Sequence, residues 1–181
     1  MTLEISTKYR TRHGALVALF RSSFADAEGA EEGALIGRFV DRLLGETPAE
    51  DLRVFTALES GDPIACISFS RLDYAQDPRR VMLLSPVAVA TAVQGKGVGQ
   101  ALIRHGLDVL RAEGVAVAIT YGDPAFYGRV GFHPITEDQA RAPLALSHPE
   151  GWIGQSLNGK EFTPLKGPAR AVAALNDPDL W

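Results

Sequence analysis

The stretch LLSPVAVATAVQGKGVGQALIRHGLDVLRAE, residues 83–113, decides the fold of this 181-residue chain. It begins with an apolar run typical of a strand buried on both faces, and it ends with the apolar spacing of a helix. Three glycines, Gly95, Gly97 and Gly99, stand where that helix would begin. The first N–H groups of a helix lack internal partners and carry partial positive charge, and glycine lets a ligand approach them closely. The stretch therefore predicts a site for a phosphate-bearing cofactor.

Composition indicates an ordinary globular protein. Hydrophobic residues make up 46% and charged residues 22% of the chain, which argues against disorder. The length predicts a single domain over residues 1–181. The only cysteine, Cys66, excludes an intrachain disulfide and favours a reducing compartment. With a net charge of −4, no signal-peptide pattern and no apolar run of ~20 residues, we expect a cytoplasmic protein that binds neither membrane nor nucleic acid.

Before and after this stretch, hydrophobic periodicity predicts further strands and helices. Segments rich in β-branched, aromatic or continuous apolar residues predict strands at 3–6, 52–58, 64–72, 81–89, 115–120, 152–157 and 169–173. Apolar residues three or four apart predict helices at 11–24, at 35–44 and from the glycines to about Gly114, with a short helix at 124–127. A run of strands followed by alternation predicts an α/β fold, with a central mixed sheet of six to seven strands and helices on both faces.

Local signals predict how these segments begin and end. The acidic and glycine-rich residues 26–33 predict a loop, as do residues 73–79, and Gly45 predicts the end of the second helix. Pro86 cannot donate a ladder hydrogen bond, so it predicts a bulge or a point where neighbouring strands separate. Asp123 followed by Pro124 predicts the capped start of the short helix.

The glycine turn does not fit the two commonest nucleotide motifs. Gly95, Gly97 and Gly99 have the wrong final spacing for the Rossmann pattern, and Lys96 is followed by glycine where a P-loop needs serine or threonine. Taken alone, the turn is also compatible with an ordinary glycine-rich connection.

Two longer motifs carry a more specific signal. Residues 94–99, QGKGVG, match [Gln/Arg]-x-x-Gly-x-[Gly/Ala], and residues 126–132, FYGRVGF, match Phe-Tyr-x-x-x-Gly-Phe after the next strand. In order and context the pair resembles the GNAT superfamily of N-acyltransferases, and in detail a bacterial subgroup of the YhbS type. The resemblance covers about residues 81–133, which it implies are the CoA-binding core, followed by C-terminal strands in 134–181.

The resemblance implies a role for each matching residue, with acetyl-CoA as the co-substrate. It implies cofactor binding by Val87, Ala88, Val89, Gln94, Gly95, Lys96, Gly97, Val98, Gly99 and Tyr127. The Val87 N–H would donate to the reacting carbonyl oxygen, and Tyr127 would give a proton to the departing CoA thiolate. Two alternatives stay open. Lys96 and Arg104 could add positive charge near the phosphates, but they are equally typical of a solvated surface. Tyr127 also suits a packing role.

The sequence does not single out a general base. Glu28, Glu31 and Glu32 fall where the family's substrate-facing loop would lie, but they also suit a solvated acidic loop. His133 follows the second motif and has a suitable pKa range, but a lone histidine is more often structural. A water chain could also remove the amine proton. No histidine has metal-ligand spacing with Cys66, so we expect no metal site.

The resulting hypothesis is an enzyme, an acetyl-CoA-dependent N-acetyltransferase acting by direct attack of a primary amine on the thioester. The acceptor would be a small molecule or peptide amine, and a homodimer fits the family. One alternative is a non-catalytic CoA-binding or regulatory module on the same fold. Another is an acyltransferase for oxygen acceptors or longer acyl chains, which would use the same glycine turn.

Overall fold

The computed structural model describes residues 3–181. Within this range the α-helices are α1 (His13–Glu28), α2 (Ala30–Glu46), α3 (Val98–Ala112) and α4 (Pro124–Tyr127). The strands are β1 (Glu4–Ser6), β2 (Leu52–Glu59), β3 (Asp62–Tyr74), β4 (Val81–Val89), β5 (Val117–Tyr121), β6 (His133–Pro134), β7 (Trp152–Ser156) and β8 (Ala169–Ala171). The predicted mixed α/β fold is confirmed, and the eight strands exceed the predicted six to seven.

The chain divides into two compact units. The first comprises the residues up to Phe69 together with Pro86–Arg104. Its strands run in the order β1, β2, β3, and β1 pairs with β2 antiparallel, with Ile5 opposite Ala57. Ser60 and Gly61 both have positive φ, 51° and 86°, as a tight hairpin turn between β2 and β3 requires. Strands β2 and β3 therefore form a β-hairpin.

Helices α1 and α2 correct two predictions in the first unit. The predicted acidic loop at 26–33 is wrong, because α1 continues to Glu28 and α2 begins at Ala30, with only Gly29 between them. Gly29 has φ of 102°, which lets the chain turn in a single residue. Gly45 is not a helix end either, since α2 continues to Glu46 before Thr47 and Pro48.

The second unit comprises Ser70–Ser85 and His105–Trp181. Strand β4 pairs with β5 in parallel, and β7 lies antiparallel between β5 and β6. The β4–β5 pairs end at Leu84 opposite Thr120, two residues before Pro86. The predicted separation of strands near this proline therefore agrees with the pairing.

The remaining differences lie at segments whose structure depends on partners distant in sequence. The predicted loop at 73–79 begins too early, because β3 continues to Tyr74 and pairs there with β8. Strand β6, two residues long, has no periodicity of its own and exists through its pairing with β7. The expectation of a single domain over residues 1–181 stays a prediction.

Candidate active site

The glycine turn joins β4 to α3 in the first unit. Gly95 and Gly97 have φ of 77° and 79°, a region that favours glycine, and a Cβ added to either would meet no atom within 4 Å. These glycines are therefore needed for the backbone path and not for space. The bond from the Ala101 N–H to the Gly97 carbonyl, 3.0 Å, lies in the first turn of α3, so the preceding amides are those that a helix leaves without internal acceptors. Lys96 is exposed.

The end of β4 is tied to the turn through the Val89 carbonyl. This oxygen accepts hydrogen bonds from the Gln94 amide and from the Ser23 hydroxyl, each 3.0 Å long. The structure thus brings the predicted strand 87–89 and Gln94 together. Ala88 is buried, whereas Val87 and Val89 are half-buried.

Helix α4 places Tyr127 in the second unit. Asp123 caps the helix by accepting from the Ala125 N–H at 2.9 Å, with Pro124 in the first turn, so the predicted cap is confirmed. The Tyr127 ring lies against Gly122, where an added Cβ would be only 2.7 Å from the ring Cε2. The absence of a side chain at Gly122 therefore leaves the space that the Tyr127 ring occupies.

Gly131, the last glycine of the FYGRVGF motif, ends the short helical segment that contains Tyr127. Gly131 has φ of 96°, and an added Cβ would lie 2.9 Å from Oε1 of Gln155, whose side-chain amide donates to the Val130 carbonyl. The next residue, Phe132, is buried, and its N–H donates to the Tyr127 carbonyl at 3.2 Å. Its ring also meets Tyr127 edge to face at 5.9 Å. The motif therefore fixes both the backbone and the ring of Tyr127.

The phenol of Tyr127 lies in a low-dielectric environment. Burial, supported by the nearby charge of Asp123 and opposed by a hydrogen bond with Thr120, raises the pKa of Tyr127 to about 12. The Tyr127 residue is half-buried. The phenol is consequently neutral at physiological pH and has a proton to donate.

The candidate bases occupy different parts of the chain. Glu28 ends α1, and Glu31 and Glu32 lie in the first turn of α2, where carboxylates interact favourably with the helix dipole. Burial and the charge of Glu28 raise the pKa of Glu32. His133 is exposed on β6. The helix positions of the glutamates give them a structural explanation, and the choice of base stays open.

Cys66 is excluded as a nucleophile by its environment. It is buried in β3, and burial raises the pKa of its thiol to about 12, so the reactive thiolate is absent at neutral pH.

Among residues 3–181, no cluster of three His, Cys, Asp or Glu side chains could hold a metal ion. Nor does any helix in that range combine the length and apolarity needed to cross a membrane.

A cavity of about 300 Å³ opens beside the residue that supports the Tyr127 ring. Its walls are Tyr121, Gly122, Asp123, Pro124, His148, Glu150 and Gly151. Two contacts hold Tyr121 in place. Its ring stacks on Trp181 at 5.9 Å, and its hydroxyl accepts a hydrogen bond from the His148 N–H at 2.7 Å. Among these wall residues, sequence patterns gave a role only to Asp123 and Pro124, as the start of the short helix.

The residue that leaves space for the Tyr127 ring was given no role from the sequence. Gly122 directly precedes the Asp123–Pro124 start of α4, and its relation to the ring depends on the contact of α4 with the end of β5, which no local spacing encodes. A glycine directly after a strand was the only available signal.

This chain is similar to known proteins. The family model of the acetyltransferase (GNAT) family matches residues 15–132. The chain is 32% identical over 145 residues to the uncharacterised N-acetyltransferase YjhQ of Escherichia coli (strain K12), and the alignment covers 77% of each protein.

Two solved structures share the fold. The N-acetyltransferase YhbS from Escherichia coli, in complex with CoA, is 24% identical with a TM-score of 0.82, covering 97% of this chain and 92% of its own. A GNAT family acetyltransferase from Brucella melitensis, in complex with acetyl-CoA, is 24% identical with a TM-score of 0.72, covering 96% and 97%. Together with the family match, these findings show that the chain belongs to the acetyltransferase (GNAT) family.

Proposed function

We propose that this protein is an acetyl-CoA-dependent N-acetyltransferase that modifies a primary amine of a small molecule or peptide. Family membership supports acyl transfer, and the two similar structures, solved with CoA and acetyl-CoA, support acetyl-CoA as the co-substrate. The observation that carries the proposal is the position of the Tyr127 ring, which lies against Gly122 and meets Phe132 edge to face, and whose phenol is neutral at physiological pH.

We assign the CoA pyrophosphate to the backbone N–H groups of the glycine turn. The residues are Gln94, Gly95, Lys96, Gly97, Val98 and Gly99. The positive φ of two glycines, the open space beside them and the start of the 15-residue helix α3 all suit a phosphate at this position. Lys96 is exposed and could add positive charge.

The pantetheine arm would add to β4 like a further strand, along Val87, Ala88 and Val89. The Val89 carbonyl already accepts two hydrogen bonds, from Gln94 and Ser23. The arm must therefore bond other backbone groups of this segment. This limits its register, because every second backbone group of a strand points to the same edge.

The reaction we propose is direct attack of the neutral amine on the thioester. The nitrogen lone pair forms the C–N bond, the C–S bond breaks with its electron pair on sulfur, and the proton lost by nitrogen balances the one gained by sulfur. The Val87 N–H donates to the carbonyl oxygen while negative charge develops there. The products are an N-acetyl amide and free CoA thiol.

Tyr127 is assigned as the proton donor to the departing thiolate. A pKa of about 12 keeps the phenol protonated throughout the neutral range. A thiol has a pKa near ~8.5, so the thiolate is a weaker base than the phenolate. The phenol therefore acts through a hydrogen bond in which the proton is shared. As CoA leaves as the thiol with that proton, the proton lost by the amine nitrogen restores the phenol.

Thiol release tests this function. The protein is mixed with acetyl-CoA and a panel of amino acids, polyamines, aminoglycosides and peptides, and free CoA is followed over time. We expect release that depends on one class of amine and falls at least about a hundredfold in Tyr127→Phe, the usual range for a general acid. Tyr74→Phe is the matched control, because the Tyr74 hydroxyl is also partly buried and donates to the Arg141 carbonyl at 2.7 Å.

Binding without chemistry separates the two candidate functions. Acetyl-CoA should raise the melting temperature, because a ligand specific to the native state stabilises it. A shift in melting temperature with no turnover on any amine would favour the non-catalytic CoA-binding module. If acetyl-CoA does not change the melting temperature, the assignment of the glycine turn as the CoA-binding site is wrong.

The broader expectations from the sequence stay predictions. They are a single N-acetyltransferase domain, a cytoplasmic location and a homodimer. Limited proteolysis, cell fractionation and light scattering would check the three in turn.

A further inference from the structure

Helix α1 is bonded to the residues on both sides of Ala90, where β4 ends. The Ser23 hydroxyl donates to the Val89 carbonyl at 3.0 Å. Three residues later in the helix, the Asp26 carboxylate accepts from the Thr91 hydroxyl at 2.7 Å. Because residues three apart share one face of a helix, both bonds arise from the same side of α1. Ser23 and Asp26 therefore form a pair of anchors for the end of β4, here called the α1 clamp.

The peptide between Val89 and Ala90 is fixed at both of its polar ends. Its N–H, on Ala90, donates to the Ile64 carbonyl of β3 at 2.8 Å. In a trans peptide the carbonyl points the opposite way, so the Val89 oxygen faces away from β3. That oxygen accepts from both Ser23 and Gln94, which uses both of its lone pairs. The clamp therefore completes the orientation of the last peptide of β4.

This peptide lies on the edge of β4 that we assign to the pantetheine arm. The pairing of β4 with β5 ends at Leu84, before residues 87–89. A chain that adds to a strand edge needs backbone groups in the strand orientation, since ladder hydrogen bonds are directional. Because the Val89 carbonyl is already saturated, the alternation of the strand makes the Val87 carbonyl the next acceptor on that edge.

We propose that Ser23 and Asp26 are positioning residues for the cofactor, which hold the end of β4 in the orientation that receives the pantetheine arm. This inference rests on the proposed function and extends it to helix α1, outside both motifs. Without the clamp the last peptide of β4 would sample other orientations. A ligand that binds one orientation loses affinity in proportion to the fraction of molecules that leave it. The helix itself needs neither side chain, because alanine is the better helix former at both positions.

Calorimetric titration with acetyl-CoA tests the clamp. We expect Ser23→Ala to raise the Kd about fivefold, the usual effect of one lost hydrogen bond. Ser23→Thr, which keeps the hydroxyl, should stay within about twofold of the wild type. The kcat at saturating acetyl-CoA should change less than about twofold in both variants, because the bound cofactor restores the orientation. Ser22→Ala is the matched control and should leave the Kd unchanged, since the Ser22 hydroxyl donates to the Leu19 carbonyl of its own helix at 3.2 Å.

Asp26 needs a separate control, because its negative charge also acts on the phosphates of the cofactor. Asp26→Ala removes the charge and the acceptor together. Asp26→Asn removes the charge and keeps an oxygen that can accept from Thr91. We expect a Kd about threefold higher for Asp26→Ala than for Asp26→Asn. Equal values in the two variants would overturn the role of Asp26.

Amide hydrogen exchange at Ala90 tests the clamp without the cofactor. We expect Ser23→Ala to speed exchange of this amide at least about threefold, because the Ala90 N–H shares its peptide with the Val89 carbonyl. Ser22→Ala should leave the exchange rate unchanged. An unchanged rate in Ser23→Ala would overturn the proposal. If the wild type binds no acetyl-CoA, the proposed function fails; if the wild type binds it and Ser23→Ala binds it as tightly, the clamp alone fails.

Discussion

At the scale of single residues, the missing side chain of Gly122 sets the position of the Tyr127 ring. An added Cβ would lie 2.7 Å from Cε2 and 3.5 Å from Cδ2 of that ring. Distances below 3 Å force a movement, and the ring is already held by edge-to-face contacts with Phe126 and Phe132. The phenol can therefore be displaced without touching Tyr127 itself.

We predict that Gly122→Ala lowers kcat by about tenfold to a hundredfold, because a shift of about 1 Å in a catalytic group has that effect. The measurement is thiol release at saturating acetyl-CoA. Gly128→Ala is the control, since Gly128 has φ of −58° and an added Cβ meets nothing within 4 Å. Equal activity in the two variants would contradict the assigned role of the ring.

Gly97 gives a second prediction at this scale, directed at binding. Its φ of 79° disfavours any residue with a Cβ by roughly 1–2 kcal/mol, although space is available. We predict that Gly97→Ala raises the Kd for acetyl-CoA about tenfold, as the turn relaxes and its amides point elsewhere. Calorimetric titration checks this, with Gly14→Ala as the control because Gly14 has free space and ordinary φ. An unchanged Kd would show that the turn does not bind the phosphates.

At the scale of elements, the packing of α1 against α2 depends on one close approach. A Cβ at Gly33 would lie 2.6 Å from the Arg21 carbonyl oxygen and 2.7 Å from the Ala25 Cβ. Gly45, in the same helix, has the His13 Cε1 at 3.6 Å as its nearest neighbour. One glycine is required by the helix contact, and the other is not.

We predict opposite signs for the two substitutions in α2. Gly33→Ala should lower the free energy of unfolding by about 1–3 kcal/mol through overpacking. Gly45→Ala should raise it by up to about 1 kcal/mol, because alanine is the better helix former. Urea unfolding measures both, and a loss of stability at Gly45 larger than at Gly33 would contradict the packing.

Sequence patterns predicted elements well where the residues themselves determine them. The columns of apolar residues in α2 and the Asp123–Pro124 start of α4 were read correctly, because spacing and capping are local. Glu31 and Glu32 misled the prediction at the α1–α2 junction, since acidic residues suit a first helical turn as well as a loop. Strand β6 was out of reach, because it depends on its pairing with β7, which is distant in sequence.

At the scale of the whole molecule, an ion pair ties the C-terminal segment to the loop after β3. Arg79 binds both oxygens of Asp77, at 2.9 and 2.8 Å, and also donates to Thr163 and to the Pro164 carbonyl. Asp77 further accepts from the Lys166 N–H at 3.1 Å. The Asp77 side chain is only 4% exposed, so this pair is shielded from solvent.

The pair predicts a dependence of stability on acid pH. The hydrogen bonds from Arg79, with that of the Lys166 N–H, lower the pKa of Asp77 to about 2. Because the folded pKa lies below the ordinary value of 3.8, the stabilisation is full above that value and is lost as pH falls through 2.

We predict that Asp77→Asn lowers the free energy of unfolding at pH 7 by about 2 kcal/mol and flattens its slope between pH 4 and pH 2. Asp108→Asn is the control, because Asp108 is 75% exposed in a surface pair. Urea unfolding at several pH values provides the comparison. An unchanged slope would mean that the pair does not hold the segment.

The proposed reaction is transfer of an acetyl group from acetyl-CoA to an amine nitrogen, with Tyr127 at the leaving thiolate. Mass spectrometry after incubation with acetyl-¹³C-labelled acetyl-CoA and the amine panel measures this transfer directly. We expect a labelled N-acetyl product that requires the protein and is nearly lost in Tyr127→Phe. Labelled acetyl on oxygen, or acetyl-CoA that binds and remains intact with every amine, would contradict it.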